Sequence, residues 1–338
     1  MSTKKANIYD VAELAGVSHQ TVSRVLNNHP SLKPATREKV EKAIAKLNYR
    51  PNQAARQLVT SESKMIGILT SGSELFGPSS ILKAMEREAR GAGYSAIAIS
   101  VETESKESWI DVIAQLRSLN IDGIITIALP REIVNKVEKA FTGTPLVVVD
   151  TEPAKGSDVV NIDNVSGGFM ATQHLVDLGH KDILHITGPG LAYESNLRRK
   201  GYEDAMRANR LKERILEGDW SIETGFERAG KLADSKKLPT AFFCANDHLA
   251  VGVMKALLKR GVRIPEDVSV VGFDDIPEAA YLVPSLTTVR QEFNLVGKKA
   301  IDRVLEQLKG NNSPEITFLP LHLIERNSTQ ALKQGKRK

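Results

Sequence analysis

The sequence predicts a small all-helical head followed by a larger α/β core made of two doubly wound, parallel-sheet lobes. Two short amphipathic helical patterns at residues 8–27 predict the head, and apolar runs that alternate with helical stretches from Met65 onward predict the core. Charge is uneven as well: residues 1–60 carry ten Lys and Arg against four Asp and Glu, whereas residues 61–332 carry 32 against 37. A basic head on a mildly acidic body is typical of a nucleic-acid-binding module attached to a second domain.

The stretch IYDVAELAGVSHQTVSRVLN fits two helices joined by a tight turn. Apolar residues three to four apart predict the first helix at Ile8–Ala15, and Gly16 with Val17 makes the turn. Ser18 is a good N-cap for a second helix at about His19–Leu26. Glutamine and arginine can read base edges in a major groove, and hydroxyl side chains can hold phosphates. The polar side chains that the second helix leaves outside its apolar stripe are His19, Gln20, Thr21, Ser23, Arg24 and Asn27.

This pattern alone allows two structures, a helix-turn-helix with residues 19–27 as the recognition helix and an ordinary αα-hairpin with a solvated polar face. A third helix, which Thr36 would cap, completes a compact head at residues 1–50 and favours the first. Residues 51–63 follow as a linker. Its segment NQAARQLVT, residues 52–60, is too short to be helical alone, but it could become helical against a partner or DNA.

Short runs rich in Ile and Val, separated by helices, are typical of a parallel sheet covered on both faces. The rhythm restarts after Asp150, so we expect two successive lobes within residues 64–330, with a cleft between them. Ligands of such sheets lie outside the carboxyl ends of the strands. We therefore expect site residues at Ser71–Pro78, Asp150, Gly188–Arg198, Asn246-Asp247 and Asp274-Asp275.

Composition narrows the classes of function. The first residues contain no apolar signal segment, and no window approaches 18 uninterrupted apolar residues, so we expect no secretion and no membrane span. Cys244 is the only cysteine, which excludes a disulfide within the chain and fits a cytoplasmic protein. We expect neither a metal nor a cofactor. The tail at residues 331–338 is basic, carries no leucine heptads, and is expected to be disordered.

Two short patterns resemble catalytic motifs and are interpreted otherwise. Residues 225–231 have P-loop spacing, but Leu232 follows where a Ser or Thr is needed, and the stretch lies in a helical pattern. Cys244 lies near His248, yet the run AFFCAN predicts a buried strand cysteine rather than a nucleophile.

Six segments, in order, resemble the LacI/GalR family of bacterial transcriptional regulators, and the resemblance extends to about Gln330. Within the family, EGDWS at residues 217–221 and TSGSELFGPSSI at residues 70–81 resemble the lactose-responsive branch more than the purine-responsive branch. The six segments are IYDVAELAGVSHQTVSRVLN, TREKVEKAIAKLNYRPNQAARQL, TQHLVDLGHKDILHI, CANDHLAVGVMKAL, EDVSVVGFDD and PSLTTVRQEF.

The resemblance implies a periplasmic-binding-protein-like core and a cytoplasmic homodimer, associated with the nucleoid when its two heads bind a palindromic operator. It also implies that the linker becomes a hinge helix on DNA and that Leu58 is wedged into the minor groove, which bends the duplex. Base-reading roles fall on His19, Gln20 and Arg24. Phosphate and positioning roles fall on Tyr9, Ser18, Thr21, Ser23, Asn27, Tyr49 and Asn52.

The resemblance also implies a sugar effector, with a galactoside as the first candidate and a different sugar or a sugar phosphate as the alternative. Inducer and co-repressor senses both occur in the family. Carboxylates, a guanidinium and an amide suit adjacent hydroxyls, and an aromatic ring suits the apolar side of a sugar. The family's sugar-binding positions fall on Asp150, Arg198, Asn246 and Asp274. Aromatic, polar and lining roles are expected for Trp220, Phe293, Gln291, Ser71, Leu75, Pro78, Ile81 and Ile162.

Two other classes fit the body of the chain less well. A solute-binding protein for transport would explain two lobes and a cleft, but the basic head and the missing signal segment argue against it. A sugar-processing enzyme would need an acid/base pair with a supporting nucleophile, and none emerges from the sequence. We therefore expect a regulator that is not an enzyme.

Overall fold

The computed structural model describes residues 6–26, 31–49, 62–71, 74–101 and 106–332. The chain divides into two compact units, Met1–Ser63 and Lys64–Lys338. Asn27, Asn52 and Leu58 lie outside the described residues, as does most of the predicted linker and the tail from residue 333. The roles predicted for these positions therefore stay predictions.

The head contains three helices, α1 (Ile8–Ala15), α2 (His19–Leu26) and α3 (Pro34–Lys46). Both bounds of α1 and α2 agree with the sequence prediction. Six buried residues form the centre of the head, and every one of them is small or β-branched. They are Val11, Ala12, Val22, Val25, Val40 and Ala43.

Local hydrogen bonds fix the ends of these helices. The Asn7 side chain accepts from the backbone N–H of Asp10, whose carboxylate accepts from the Asn7 N–H in return. Gly16 ends α1 at φ 65°, a left-handed conformation that glycine adopts at no steric cost. The Ser18 Oγ accepts from the Thr21 N–H at 3.2 Å, so Ser18 caps α2 as predicted. The predicted cap at Thr36 is wrong, because α3 begins at Pro34, whose fixed φ suits the first helical position.

The core contains eight further helices and twelve strands among its described residues. No described helix is both long and apolar enough to cross a lipid bilayer. The helices are α4 (Phe76–Gly91), α5 (Lys106–Ser118), α6 (Arg131–Ala140), α7 (Asn164–Asp177), α8 (Tyr193–Ala208), α9 (Ile222–Asp234), α10 (Asp247–Lys259) and α11 (Phe293–Leu308), with a short 3₁₀ helix at Pro277–Tyr281. The strands are β1 (Met65–Thr70), β2 (Ser95–Ser100), β3 (Gly123–Ile127), β4 (Leu146–Val149), β5 (Asp158–Ile162), β6 (Ile183–Ile186), β7 (Arg214–Leu216), β8 (Ala241–Cys244), β9 (Ser269–Asp274), β10 (Thr287–Gln291), β11 (Ile316–Leu319) and β12 (Leu321–Ile324).

Two six-stranded sheets form the two lobes. The first has the order β11-β5-β4-β3-β1-β2 and is parallel throughout. The second has the order β12-β10-β9-β8-β6-β7, and only its edge strand β12 runs antiparallel to its neighbour. The predicted fold class, a helical head with two doubly wound parallel-sheet lobes, is confirmed.

The lobes are not consecutive in sequence, and the predicted division at Asp150 is wrong. β5 pairs with β4 in the first sheet although it follows Asp150. Helix α11, near the end of the chain, packs against α4 and against strands of the first sheet. Within residues 106–332 the chain crosses between the lobes after β5, after β10 and after β11. A buried strand has the same apolar pattern in either sheet, so the sequence pattern could not assign it to a lobe.

Helix pairs in the second lobe meet at glycines. A Cβ at Gly201 of α8 would lie 2.1 Å from the Val165 carbonyl oxygen of α7, and one at Gly168 would lie 2.2 Å from the Arg198 carbonyl oxygen. Both obstacles are backbone atoms, which cannot move aside as a flexible side chain can. The α7–α8 crossing therefore requires these glycines.

We predict that Gly201→Ala lowers the free energy of unfolding by about 1–3 kcal/mol, because a methyl group at this crossing forces the helices apart. The matched control is Gly91→Ala at the end of α4, where a Cβ would meet nothing within 4 Å. That change should be neutral or slightly stabilising, since alanine is the better helix former. Urea unfolding of both variants measures the difference, and equal effects would contradict the proposed close crossing.

Candidate functional sites

The outer face of α2 presents a polar surface. Ser18, His19, Gln20 and Arg24 are exposed, while Thr21 and Ser23 are half-buried. Tyr9 of α1 lies beside this face, because its ring centroid is 5.1 Å from that of His19 and 63% of the residue is exposed. Side chains with donor and acceptor groups thus project from one short helix.

Two of the residues predicted at this face also hold the head together. The Ser18 hydroxyl is occupied by its cap and lies 3.0 Å from the Thr21 hydroxyl. Tyr49 is half-buried and packs against the head's hydrophobic core. Phosphate contacts by these side chains stay predictions.

Arg198 lies at the centre of the residues predicted in the core, and it is 5% exposed. Its Nε donates to the Asn164 side-chain oxygen at 2.8 Å, and its Nη1 donates to the Ala245 carbonyl at 2.6 Å. The same Nη1 is 3.7 Å from the Asp274 Oδ1. The guanidinium carbon lies 4.0 Å from the centroid of the Phe273 ring. The cation is therefore held in one orientation from several sides.

Asp274 and Gln291 form a buried polar pair next to Arg198. The Gln291 amide nitrogen donates to the Asp274 Oδ1, while its own oxygen is buried with no hydrogen-bond partner among the described residues. Burial raises the pKa of Asp274 to about 6, Arg198 and the Gln291 hydrogen bond oppose the shift, and Glu194 adds to it. An acceptor without a donor in a polar cleft is a place where a ligand can bind.

Asp150 faces this group from the first lobe, directly after β4. Its Oδ1 is buried and has no hydrogen-bond partner in the described part of the chain. Burial and then the negative charge of Glu194 raise the pKa of Asp150 to about 7, while Arg198 lowers it. The structure therefore brings Asp150, Arg198, Asp274 and Gln291 together as the sequence predicted.

Backbone strain accompanies these side chains. Asp150, Trp220 and Asp274 have φ values of 49°, 72° and 115°, in the positive-φ region that residues other than glycine rarely adopt. Asp150 and Asp274 lie where strands end. Residues with strained backbone conformations cluster at functional sites, where the unusual backbone gives a side chain an orientation that a regular strand or helix would not allow.

Aromatic rings lie on both sides of the cleft. Trp220 is 8% exposed and its ring centroid is 5.4 Å from the Arg198 guanidinium carbon. A Cβ at Gly188 would lie 2.3 Å from the Trp220 ring, so glycine allows the ring to lie against this loop. Phe293 meets Phe76 edge-on at 5.7 Å between centroids. The two predicted aromatic residues are thus placed near the polar group, and contact with a ligand stays a prediction.

The side chain of Asn246 forms two structural hydrogen bonds within the protein. Its side-chain oxygen caps α10 by accepting from the Leu249 N–H at 2.9 Å. Its amide nitrogen donates to the Trp220 carbonyl at 3.1 Å. Asp275, which the strand-end rule placed among the expected site residues, forms ion pairs with Arg290 and Arg326. Asn246 therefore positions Trp220, and a direct ligand contact is not needed to explain it.

The remaining predicted cleft residues are mostly packed. The Ser71 hydroxyl donates to the Ala128 carbonyl. Leu75 is half-buried and packs against the apolar cluster of the second lobe, although it belongs to the first. Pro78 is also half-buried, whereas Ile81 and Ile162 are fully buried in one cluster. Their roles as ligand-lining residues stay predictions.

Four residues of this site were not singled out from the sequence, although Phe76 and Glu194 lie within the stretches 71–78 and 188–198 in which site residues were expected. Asn164, Phe273 and Phe76 contact Arg198 or Phe293, and Glu194 lies near the three charged residues. Asn164 follows the carboxyl end of β5, and the strand-end rule should have included it. Glu194 lies within the predicted stretch 188–198 without being singled out, while Phe273 signalled only a buried strand.

The motif-like stretches have structural roles. Residues 225–231 lie inside α9, and Cys244 is buried in β8, where burial raises the pKa of its thiol. Among the described residues, no three His, Cys, Asp or Glu side chains are grouped so that they could hold a metal ion.

Comparison with known proteins agrees with this architecture. Residues 7–52 match the model of the lacI family of bacterial regulatory proteins, and residues 172–329 match a periplasmic binding protein-like domain. The chain is 36% identical to the lactose operon repressor of Escherichia coli K12 over 97% of this chain and 92% of that protein. The chain belongs to the LacI family.

Other proteins similar to this LacI-family chain include a second repressor and two solved structures with bound ligands. The chain is 34% identical to the repressor PurR of Haemophilus influenzae, over 90% of this chain and 91% of that protein. A Lac repressor dimer bound to operator and the anti-inducer ONPF superposes with a TM-score of 0.90 at 35% identity, covering 97% of this chain and all of that one. The regulator CelR in complex with cellobiose gives 0.73 at 28% identity, covering 96% and 99%.

We predict that Asp150→Asn raises the melting temperature more at pH 8 than at pH 5. The folded state holds the Asp150 proton up to a pKa of about 7, whereas the unfolded chain releases it near 3.8, so the wild type loses stability as pH rises between these values. The variant removes that loss, and asparagine tolerates the left-handed backbone at this position.

The control for this pH dependence is Asp234→Asn. Hydrogen bonding to Arg260 lowers the pKa of the exposed Asp234 carboxyl, so its contribution is complete at pH 5 and unchanged at pH 8. The control should therefore show a small loss of equal size at both pH values in thermal unfolding. A gain for Asp150→Asn that does not depend on pH would show that this carboxyl is ionised throughout.

Proposed function

We propose that this LacI-family chain is a transcriptional repressor that binds a palindromic operator as a homodimer and is released when a sugar binds between its lobes. The exposed polar face of α2 carries the DNA-binding half of the proposal. Gln20 and Arg24 suit bidentate contacts to base edges, and His19 lies on the same face. Tyr9, Ser18, Thr21, Ser23 and Tyr49 would position the helix on the backbone phosphates.

The effector half of the proposal rests on the Arg198 group in the cleft. Carboxylate, guanidinium and amide groups from both lobes converge there, and two buried oxygens, on Asp150 and Gln291, have no donor among the described residues. Sugar hydroxyls would supply such donors, and Trp220 and Phe293 would contact the apolar face of the ring. We propose a galactoside as the first candidate, because a Lac repressor structure matches this chain over nearly its full length.

Other effectors remain as a second candidate within the same mechanism. PurR, the repressor from Haemophilus influenzae, is also similar to this chain. A LacI-family regulator from Enterococcus faecium with bound ribose superposes at a TM-score of 0.72 and 26% identity. The effector could thus be another sugar or a sugar phosphate, and it could act as inducer or co-repressor.

The proposed regulation needs a ligand that distinguishes two arrangements of the lobes. A sugar that bound both arrangements equally would shift nothing, however tightly it bound. A coupling free energy of about 1–3 kcal/mol between the sugar site and the DNA site would suffice for useful control. We propose a cytoplasmic, non-catalytic role, in keeping with the repressors to which the chain is similar.

We predict that Arg24→Ala weakens binding to a cognate operator by about 1–3 kcal/mol if the arginine contacts a base. The matched control, Lys39→Ala, removes one exposed positive charge from α3. Fluorescence anisotropy at fixed salt, with operator and scrambled duplexes, compares the two. Equal losses for both variants on both duplexes would indicate that the α2 face does not read sequence.

We predict that Asp274→Ala still binds operator but no longer responds to sugar, because it removes the carboxylate at the centre of the cleft. The control is Asp302→Ala, which removes an exposed carboxylate from α11 and should respond as the wild type does. Operator binding titrated with galactosides measures both properties. A variant that lost operator binding and kept its sugar affinity would overturn this assignment of sites.

A further inference from the structure

We propose that Glu194 makes the cleft selective for the charge of the effector. The cleft accepts a sugar without negative charge, binds the amino derivative of that sugar most tightly, and rejects phosphorylated or acidic sugars. This inference rests on the proposed function, because it takes the cleft to be the effector site.

Glu194 lies on the same face of α8 as Arg198. The two residues are four apart in the helix, a spacing that places side chains one turn above each other. Yet Arg198 is occupied by Asn164, Ala245 and Asp274. Among the described residues, no other side chain forms a hydrogen bond or an ion pair with the Glu194 carboxylate. Burial raises the pKa of the Glu194 carboxyl, and the charge of Arg198 opposes that shift. In its ionised form the carboxylate is available to a ligand.

Three carboxylates face one guanidinium in this cleft. Glu194 and Asp274 come from the second lobe and Asp150 from the first, and their mutual repulsion contributes to the raised pKa values of Asp150 and Asp274. Arg198 offsets a single negative charge. When all three carboxylates are ionised, the group carries an excess of negative charge that only a cation, a proton or a neutral donor can accommodate.

Basic residues near the carboxyl ends of the strands do not remove this excess. Arg290 pairs with Asp275 at 2.7 Å, and Arg131 pairs with Glu138 at 2.8 Å. Lys155, in the loop after β4, is exposed to solvent, where its charge is screened. Further carboxylates, which are also exposed, lie in loops at the carboxyl ends of strands: Glu74, Glu152, Glu217 and Asp219.

The unpartnered atoms in the cleft point to a ligand that donates hydrogen bonds. The Asp150 Oδ1 and the side-chain oxygen of Gln291 lack donors among the described residues, and Gln291 is 5% exposed. Sugar hydroxyls can donate to both, and an ammonium group offers three donors together with a positive charge. A phosphate dianion offers only acceptors, and its charge would be repelled by carboxylates in a partly desolvated cleft.

The test measures binding of two matched series of sugars to the full chain by calorimetry. Each series, one built on galactose and one on glucose, contains the neutral sugar, the 2-amino sugar, its N-acetyl derivative and the 6-phosphate. We expect the amino sugar to bind about tenfold more tightly than its N-acetyl derivative, and the phosphate about a hundredfold more weakly than the neutral sugar. The same order should appear in release from operator DNA.

Two isosteric variants distinguish the effect of the Glu194 side chain from the effect of a change in the net charge of the protein. Glu194→Gln should lower the preference for the amino sugar over its N-acetyl derivative about tenfold, and it should narrow the gap between the phosphate and the neutral sugar. Glu223→Gln, an exposed position on α9, loses the same charge and should keep the wild-type order. Thermal unfolding of both variants checks that each is folded.

The outcomes distinguish this inference from the function on which it rests. If a phosphorylated sugar binds as tightly as its neutral parent, or Glu194→Gln keeps the wild-type order, the charge selection is wrong while the cleft remains the effector site. If no sugar of either series binds or changes operator binding, the proposed sugar response fails together with the inference.

Discussion

The buried guanidinium of Arg198 is the constraint on which the geometry of the cleft depends. An unpaired buried cation costs several kcal/mol, so the fold must supply partners from every side. Asn164 does so at the start of α7, the Ala245 carbonyl at the end of β8, and Asp274 at the end of β9. The tight α7–α8 crossing at Gly168 lies directly against the Arg198 backbone. The close packing of α7 against α8 therefore adjoins the residue around which the polar groups of the cleft are arranged.

The cleft contains buried carboxyl groups whose negative charges repel one another in the absence of a ligand. Asp150 approaches the second-lobe carboxylates from the first lobe, and burial makes ionisation of both Asp150 and Asp274 unfavourable. The cost of these buried acids, together with the left-handed backbone at both positions, is typical of sites in which stability is sacrificed for binding. A ligand that supplies donors would relieve this cost only when both lobes contact it, which is what a ligand-controlled arrangement requires.

Features that depend on neighbours in sequence could be predicted, whereas features that depend on pairing between distant segments could not. The bounds of α1 and α2 depend on Asn7, Gly16 and Ser18, which act through neighbours in sequence. The strand-end rule located Asp150 and Asp274, because the carboxyl ends of parallel strands share one edge. It could not assign β5 or α11 to a lobe, since that depends on pairing between distant segments. Asn246 shows a further limit: the strand-end rule placed it at the site, but its hydrogen bond to the Trp220 carbonyl joins segments that are distant in sequence.

The connections between the lobes have a mechanical consequence. A single residue separates β5 from α7, β10 from α11 and β11 from β12, and these residues are Asp163, Glu292 and Pro320. Such short tethers, lying side by side, leave no slack for sliding or for separation of the lobes. The motion that these connections permit is a hinge rotation of one lobe relative to the other about an axis through them. A ligand that drew the two lobes together would therefore change the angle between them, and the displacement would be largest at the ends farthest from these connections.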